Sequence, residues 1–288
     1  MNSRSPSQRL SPEIAERLPR HAVTRFAPAP TGFLHLGHVV NALWVWQAAR
    51  AADGLVLLRI ENHDRARCRP EYEVALREDL DWLGFVPDAE VPRQGAREAR
   101  YAEALATLEV AGLVYPCDCS RRDRARDSPE AFGEEMRYAG RCRARGLSSA
   151  STPARRVRMD PGDESFDDFR VGPQCQSPGE QCGDLLVRDR VGQWTYQFAV
   201  VVDDMDQQVD LVVRGEDLLS STGRQLRLAR LLGRARPPQF LHHPLVRKPT
   251  GDKLSKSGRD TGVRELRAAG LSAADVLAMA TERSGLQV

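Results

Sequence analysis

Residues 28–38 read PAPTGFLHLGH, and this stretch decides how the first part of the chain is expected to fold. It follows the run AVTRFA (22–27), which is typical of a strand, and it leads into a helical pattern from Gly37 to Ala52. The prolines and Gly32 predict a turn between the two elements, because proline fixes its backbone and glycine adopts conformations that other residues avoid. A strand, a turn and a helix in this order favour a phosphate-binding site at the helix N-terminus.

Two histidines, His35 and His38, stand three residues apart and share one face of the first helical turn. Gly37 between them allows the backbone to approach a ligand closely. Two imidazoles beside a bound phosphate can donate hydrogen bonds to oxygens whose charge grows in a transition state. Taken alone, the spacing is more typical of a pair of partly buried structural histidines.

The rest of the chain alternates strands with helices. The run GLVLLRIE (54–61) indicates a strand that is buried on both faces. Helices are predicted from Glu71 to Leu83, from Arg97 to Ala111 and near Gly223 to Leu232. This alternation predicts an α/β fold with a doubly wound parallel sheet.

Composition limits the class of protein. The 288 residues are 41% hydrophobic and 28% charged, so the chain can bury a sizeable core. A net charge of +2 excludes a polycation, but it leaves open an RNA partner held by a local basic face. No apolar run approaches the roughly 18 residues of a membrane span, and the first residues lack a signal sequence. We therefore expect a cytoplasmic protein without membrane association.

Changes of composition along the chain predict five segments. They are a flexible leader (1–20), the first half of a nucleotide-binding catalytic domain (21–114), an inserted cysteine-containing subdomain with little regular core (115–190), the second half of the catalytic domain (191–247), and a loop with small C-terminal helices (248–288).

The last segment begins with GDKLSKSG (251–258), a stretch of glycines and small polar residues. Lys253 and Lys256 stand three residues apart in it, and two such lysines can clamp a polyphosphate. Taken alone, such a loop is more typical of a solvated surface.

Taken together, HLGH (35–38) and KLSKS (253–257) resemble the two signatures of class I aminoacyl-tRNA synthetases, which have a Rossmann-like fold. RFAPAPTG (25–32), LLRIENHDRAR (57–67) and residues 195–219 resemble the glutamyl and glutaminyl branch. The chain ends soon after KLSKS, where full glutamyl-tRNA synthetases carry a substantial anticodon-binding region. It is therefore most similar to the glutamyl-Q tRNA(Asp) synthetases.

This resemblance implies a ligase that activates L-glutamate with ATP, without needing tRNA, and forms glutamyl-AMP. The glutamyl group is then expected to pass to the queuosine base in the anticodon of tRNA(Asp). Mg²⁺ is expected with ATP, and the enzyme is expected to be a monomer. Two alternatives are a shortened glutamyl-tRNA synthetase that charges the 3′ end and a non-catalytic paralogue that binds nucleotide or RNA.

The resemblance also implies roles for individual residues around ATP. The expected catalytic residues are His35, His38 and Lys256. The expected ATP contacts are His35, Gly37, His38, Lys253 and Lys256.

For glutamate, the resemblance implies a pocket formed by Arg25, Ala29, Glu61, Tyr196 and Arg214. Glu61 is expected to bind the ammonium group, and Arg214 ends a buried strand, where a guanidinium can hold a carboxylate bidentately. Ordinary strand-end salt bridges use the same residue types. Ala29 replaces the serine usual in the family motif and Asn62 replaces an aspartate, and both weaken the inference about substrate contacts.

A metal site is the third expectation. Cys117 and Cys119 can converge through a tight loop, and Tyr138 and Cys142 would share a face if their segment is helical. Three thiolates favour one structural Zn²⁺, which requires a fourth ligand. The resemblance implies Tyr138 in that position. The competing donors are two further cysteines, Cys175 and Cys182. Free thiols without a metal remain the alternative.

Overall fold

The computed structural model of the chain describes residues 10–127, 131–132, 135–150, 152–246 and 262–286. The first half contains α1 (Pro12–Ala15), β1 (Val23–Phe26), α2 (Leu36–Ala51), β2 (Leu55–Leu58), α3 (Pro70–Leu83), β3 (Ala89–Glu90), a 3₁₀ turn (Gln94–Ala96), α4 (Glu98–Val110), β4 (Val114–Pro116), α5 (Arg121–Asp127), β5 (Ala131–Phe132) and β6 (Glu135–Met136). The second half contains β7 (Arg155–Val157), β8 (Glu164–Asp168), β9 (Gly172–Gln176), α6 (Pro178–Gln181), β10 (Leu185–Arg188), α7 (Tyr196–Asp206), β11 (Leu211–Gly215), a second 3₁₀ helix (Glu216–Ser221), α8 (Thr222–Leu231), β12 (Gln239–His243), α9 (Val263–Ala268) and α10 (Ala273–Glu282).

The main sheet is parallel at its centre, as the sequence predicts. Strand β1 pairs with β2 and β2 pairs with β3, while β11 pairs with β12, all in parallel. Two hydrogen bonds between Val23 and Asp210 join these groups, so β1 lies next to β11. Parallel strands carry their carboxyl ends to one edge, and that edge is where open α/β sheets bind ligands.

The predicted helices agree with α2, α3, α4 and α8 to within one residue at each end. Helix α3 ends at Gly84, which adopts a left-handed φ of 77° that suits a residue without a side chain. No helix in the described ranges is long and apolar enough to cross a membrane.

Two parts of the chain differ from the sequence expectation. Within the predicted insertion, β4, β7 and β10 form an antiparallel sheet over a core that includes Val157, Val187 and Trp194. Strands β8 and β9 from the same insertion extend the main sheet. These strands are short and lie among glycines and prolines, so their sequences show no clear alternation of apolar and polar residues. The boundaries of the five segments stay predictions.

The predicted leader also differs from the structure where it is described. Leu10 and Leu18 are buried in the main core, and α1 lies between them. Residues 1–9 lie outside the described ranges. Two apolar side chains therefore pack residues 10–20 onto the domain, although their spacing gives no strong helical periodicity.

The C-terminal helices pack on the same core and enclose an acid. Val263, Val276 and Ala280 are fully buried in the main core, with Asp79 of α3 nearby. Asp79 is 2% exposed, and its Oδ2 atom has no hydrogen-bond partner among the described residues. Burial raises the pKa of Asp79 to about 6, although Arg264 and Arg267 of α9 oppose the shift.

We expect Asp79→Asn to stabilise the protein at neutral pH. The folded pKa of Asp79, about 6, lies above its ordinary value of 3.8, so the ionised form costs free energy when the chain is folded. The gain should be about 3 kcal/mol at pH 7.5 and should disappear as the pH falls from 6 to 4. Urea unfolding at several pH values measures it. The exposed Asp81→Asn on the same helix is the control, and a gain independent of pH would contradict the expectation.

Candidate active site

The histidine motif forms the N-terminus of α2. His35 is the N-cap residue, and its Nδ1 accepts a hydrogen bond from the Gly37 N–H at 3.1 Å. The Nδ1 atom of His38 accepts from the His35 N–H at 3.1 Å. In a neutral imidazole the proton is then on Nε2, so both rings present an N–H donor on that side. A Cβ on Gly37 would lie 2.9 Å from the His35 ring, which explains the glycine.

Charged side chains from β1, from the end of β2 and from α7 form a buried network. Arg25 Nε donates to Asp204 Oδ1 at 3.1 Å, and Arg59 Nη1 donates to the same oxygen at 2.6 Å. Arg59 Nη2 also donates to Glu61 Oε1 at 3.0 Å. All four residues are buried, so each charge depends on an opposite partner. Sequence reasoning missed Arg59 and Asp204, although charged residues inside apolar runs are a signal of buried ion pairs.

The network shifts its acids in opposite directions. Burial alone would raise the pKa of Asp204, but Arg25 and Arg59 outweigh it and hold that pKa below its usual range. Burial dominates at Glu61 and raises its pKa, against the opposing charges of Arg59 and Arg25. An additional cation beside Glu61 would favour its ionised form.

Arg214 differs from the other arginines of the pocket. It is 4% exposed, and no carboxylate in the described part of the chain lies within ion-pair distance of it. Its partners are neutral: Nε donates to His242 at 3.0 Å and Nη1 donates to Gln225 at 2.6 Å. Nη2 donates to Thr222 Oγ1 and to the Leu218 carbonyl. Burial lowers the pKa of Arg214.

The hydrogen bonds of Arg214 argue against the bidentate carboxylate contact that the sequence predicts. A guanidinium has five N–H groups, and four of those in Arg214 point to protein acceptors. One N–H on Nη1 lies outside these four bonds, and the Tyr196 side chain is a further hydrogen-bonding partner of Arg214. The arrangement therefore leaves Arg214 at most one N–H for a ligand, on the side where Tyr196 lies.

The remaining pocket residues lie in the same region of the sheet edge. Tyr196 is the first residue of α7, and burial raises the pKa of its phenol while the neighbouring Arg214 opposes the shift. Ala29 lies half-buried in the turn after β1. Asn62 instead accepts a hydrogen bond from the Gly95 N–H at 2.7 Å, so its side chain holds the 3₁₀ turn at 94–96.

Three cysteines form a possible metal site. The sulfur atoms of Cys117, Cys119 and Cys142 lie within 4.8 Å of one another and are buried. The Tyr138 phenol oxygen is 3.7 Å from Cys117 Sγ and accepts from the Cys142 N–H at 2.8 Å. The helical arrangement considered for Tyr138 and Cys142 is wrong, because Tyr138 forms a β-bridge with Gly183 and Cys142 lies in a turn.

The competing cysteines lie apart from this cluster. Cys175 is exposed on β9, and Cys182 Sγ points to the carbonyl groups of Pro178 and Gly183. The buried Arg156 donates from Nε to Cys117 Sγ at 3.2 Å, and its guanidinium stacks 3.6 Å from the Tyr138 ring centre. Burial raises the pKa of Cys117, but Arg156 outweighs it and lowers that pKa overall. A cation beside a sulfur favours thiolate, the form that binds metal.

Comparison with known proteins places this site in a family. The family described as tRNA synthetases class I (E and Q), catalytic domain, matches residues 21–283. The glutamyl-Q tRNA(Asp) synthetase of Nitratidesulfovibrio vulgaris is 43% identical over 270 residues, which cover 88% of this chain and 83% of that protein. The chain belongs to the glutamyl-Q tRNA(Asp) synthetase family. It is therefore a ligase of the class I synthetase type, as the sequence predicts.

Two further comparisons agree with this assignment. The synthetase of the same name from Cupriavidus metallidurans is 44% identical over 241 residues, covering 81% of this chain and 76% of that protein. The crystal structure of a glutamate tRNA ligase from Elizabethkingia meningosepticum, in complex with its amino acid, aligns with a TM-score of 0.70 at 27% identity. That match covers 88% of this chain and 54% of the ligase, so this synthetase spans about half the ligase's length.

The second signature of the synthetase lies outside the described residues. Lys253 and Lys256 fall between residues 247 and 261, and the roles predicted for them stay predictions. On the far side of this segment, the Val263 N–H donates to the Leu34 carbonyl at 2.9 Å and Gly262 forms a β-bridge with His35. The chain that follows the lysines therefore lies against the histidine motif.

Replacing Arg59 by methionine in the synthetase should reduce the free energy of unfolding by about 3–5 kcal/mol, because the change leaves the buried Glu61 without its cation and removes one of the two cations that Asp204 contacts. Urea denaturation measures the loss. Arg100→Met is the matched control, since Arg100 makes a partly exposed ion pair with Asp206 and should cost less than about 1 kcal/mol. Equal losses in the two variants would contradict the importance of the buried network.

Proposed function

We propose that this synthetase activates L-glutamate with ATP, without needing tRNA, and transfers the glutamyl group to the queuosine base in the anticodon of tRNA(Asp). The observation that carries the proposal is the buried Arg214, which has only neutral partners among the described residues. A buried guanidinium without a counter-charge is costly, and an anionic ligand would remove that cost. The names of the relatives support glutamate as this ligand.

The donors of the pocket match the two ends of glutamate. Arg25 uses Nε for Asp204 and one Nη1 proton for the Val213 carbonyl, which leaves three N–H groups outside these bonds. Together with the remaining N–H of Arg214 they can bind the side-chain carboxylate. Glu61 can accept the ammonium group, which would compensate the burial that now raises the pKa of Glu61.

The chemistry requires charge stabilisation and no protein nucleophile. The α-carboxylate of glutamate attacks the α-phosphorus of ATP, and pyrophosphate leaves. His35 and His38 donate Nε2–H groups to phosphate oxygens beside Gly37, with Lys253 and Lys256 proposed to hold the leaving group. Mg²⁺ bound with ATP would offset phosphate charge. A hydroxyl of the queuosine base then attacks the glutamyl carbonyl, and AMP leaves.

The cysteine cluster is proposed to hold one structural Zn²⁺. Cys117, Cys119 and Cys142 would supply three sulfur donors, and Tyr138 is proposed as the fourth ligand because its Oη lies 3.7 Å from Cys117 Sγ and 4.0 Å from Cys119 Sγ. A closed site of four protein ligands would fix the loops of the insertion. Arg156 would offset the negative charge of the thiolates.

The proposal is tested by glutamate-dependent ATP–pyrophosphate exchange with and without tRNA. Exchange without tRNA is the expected result. Arg214→Met should raise the KM for glutamate by about 100-fold, because one charge-assisted contact to the carboxylate is lost. The KM for ATP should stay unchanged. Arg227→Met is the control: it removes a buried arginine of α8 that pairs with Glu164 of β8, and it should leave both constants unchanged.

The acceptor is identified by the position of labelled glutamate on tRNA(Asp). Two forms of the tRNA are compared, one with queuosine in the anticodon and one with guanosine in its place. After nuclease cleavage, label on the anticodon fragment of the queuosine form alone is expected. Label at the 3′ end, or exchange that requires tRNA, would favour a shortened glutamyl-tRNA synthetase. A folded protein without exchange under either condition would indicate a non-catalytic paralogue.

We expect Cys142→Ser to lower the bound zinc of the purified protein from about one equivalent to a small fraction, because a closed site loses one of four ligands. Elemental mass spectrometry after dialysis gives the content. Cys175→Ser is the control, since Cys175 is exposed and outside the cluster. Full zinc in Cys142→Ser, or equal loss in both variants, would contradict the assignment.

A further inference from the structure

We propose that Asp168 and His242 form a positioning pair that fixes the direction of the Arg214 guanidinium in the substrate pocket. This inference rests on the proposed function, in which Arg214 faces the side-chain carboxylate of glutamate. The two residues lie on neighbouring parallel strands, Asp168 at the end of β8 and His242 near the end of β12. Both are completely buried.

Asp168 is held by hydrogen bonds on both carboxylate oxygens. Oδ1 accepts from the backbone N–H groups of Arg170 and Val171, each at 3.0 Å. Oδ2 accepts from the His242 backbone N–H at 3.0 Å and lies 2.7 Å from His242 Nδ1. A carboxylate with four such contacts has no freedom to rotate, so it fixes the imidazole ring as well.

The pair determines which nitrogen of His242 carries the proton. Burial raises the pKa of Asp168, but the hydrogen bond from His242 and two backbone N–H groups outweigh it, so Asp168 is ionised and can only accept. His242 Nδ1 must therefore donate, and the neutral ring presents a lone pair at Nε2. That atom lies 3.0 Å from Arg214 Nε, whose N–H it accepts.

This order of donors and acceptors constrains the planar guanidinium. With Nε held by His242, Gln225 holds Nη1 and Thr222 holds Nη2, so three sides of the group are fixed. The N–H of Nη1 outside these bonds, beside the phenol of Tyr196, then points in a single direction. If His242 carried its proton on Nε2 instead, two donors would face each other and Arg214 would have to turn away. We infer that Asp168 sets the direction of Arg214 through the tautomer of His242.

The experiment measures glutamate binding by calorimetry in Asp168→Asn, His242→Leu and His242→Gln. The first two should raise the Kd for glutamate by about 10-fold, because Arg214 loses its acceptor at Nε or meets a donor there. The KM for ATP and the zinc content should not change. In His242→Gln the amide oxygen can take the place of Nε2, so affinity should return to within about threefold of the unmodified enzyme.

A purely structural role would give a different result. Loss of stability would weaken ATP and glutamate binding together, and glutamine would not restore affinity relative to leucine; this outcome would overturn the proposal. An unchanged Kd in folded His242→Leu would overturn it as well.

Nitrogen-15 NMR of the histidines tests the pair independently of the enzyme's activity. The His242 ring should be protonated at Nδ1 in the unmodified protein and at Nε2 in Asp168→Asn. An unprotonated Nδ1 in the unmodified protein would overturn the pairing. Absence of glutamate-dependent exchange, with the expected tautomer present, would instead indicate that the proposed function fails.

Discussion

The carboxylate of Asp204 is the interaction on which the substrate pocket depends. One oxygen of it receives hydrogen bonds from Arg25 and Arg59, which extend from two adjacent parallel strands. Without this acid, two guanidinium groups would lie side by side in a medium that screens their repulsion poorly. With it, α7 is fixed against the carboxyl ends of β1 and β2, and Tyr196 at the start of that helix is placed beside Arg214.

The arginines of the pocket therefore differ in their partners: Arg59 is paired with carboxylates, whereas Arg214 is held by neutral groups. Arg59 is surrounded by carboxylates and holds the structure together, and its charge is already compensated. Arg214 is held by His242, Gln225 and Thr222, which orient it without neutralising it. A buried charge that is oriented by neutral groups keeps its full attraction for a ligand, whereas one paired with a protein carboxylate would first have to break that pair.

Local patterns predict α2, α3, α4 and α8, the parallel sheet and the position of the histidine pair, because these depend on residues close in sequence; they do not predict α7. The ion network could not be assembled in this way, since Arg25 and Asp204 are 179 residues apart and many acids could have been the partner. The cysteines were found by spacing, but the helix considered around Tyr138 was wrong because Tyr138 pairs with Gly183 instead. Contacts of this kind depend on the topology, which short motifs do not encode.

The parallel topology also brings residues from distant parts of the chain to one edge of the sheet. Arg25, Glu61 and Arg214 lie on or just beyond three parallel strands, β1, β2 and β11, whose carboxyl ends meet at one edge of the sheet. The turn after β1 brings the N-terminus of α2 to that edge, and with it the Nε2–H donors of His35 and His38. In the proposed function, an amino acid bound by the strand ends would lie beside phosphates bound by the helix. Because both sites are anchored to the same buried strands, the carboxylate and the phosphorus would be brought together chiefly by position.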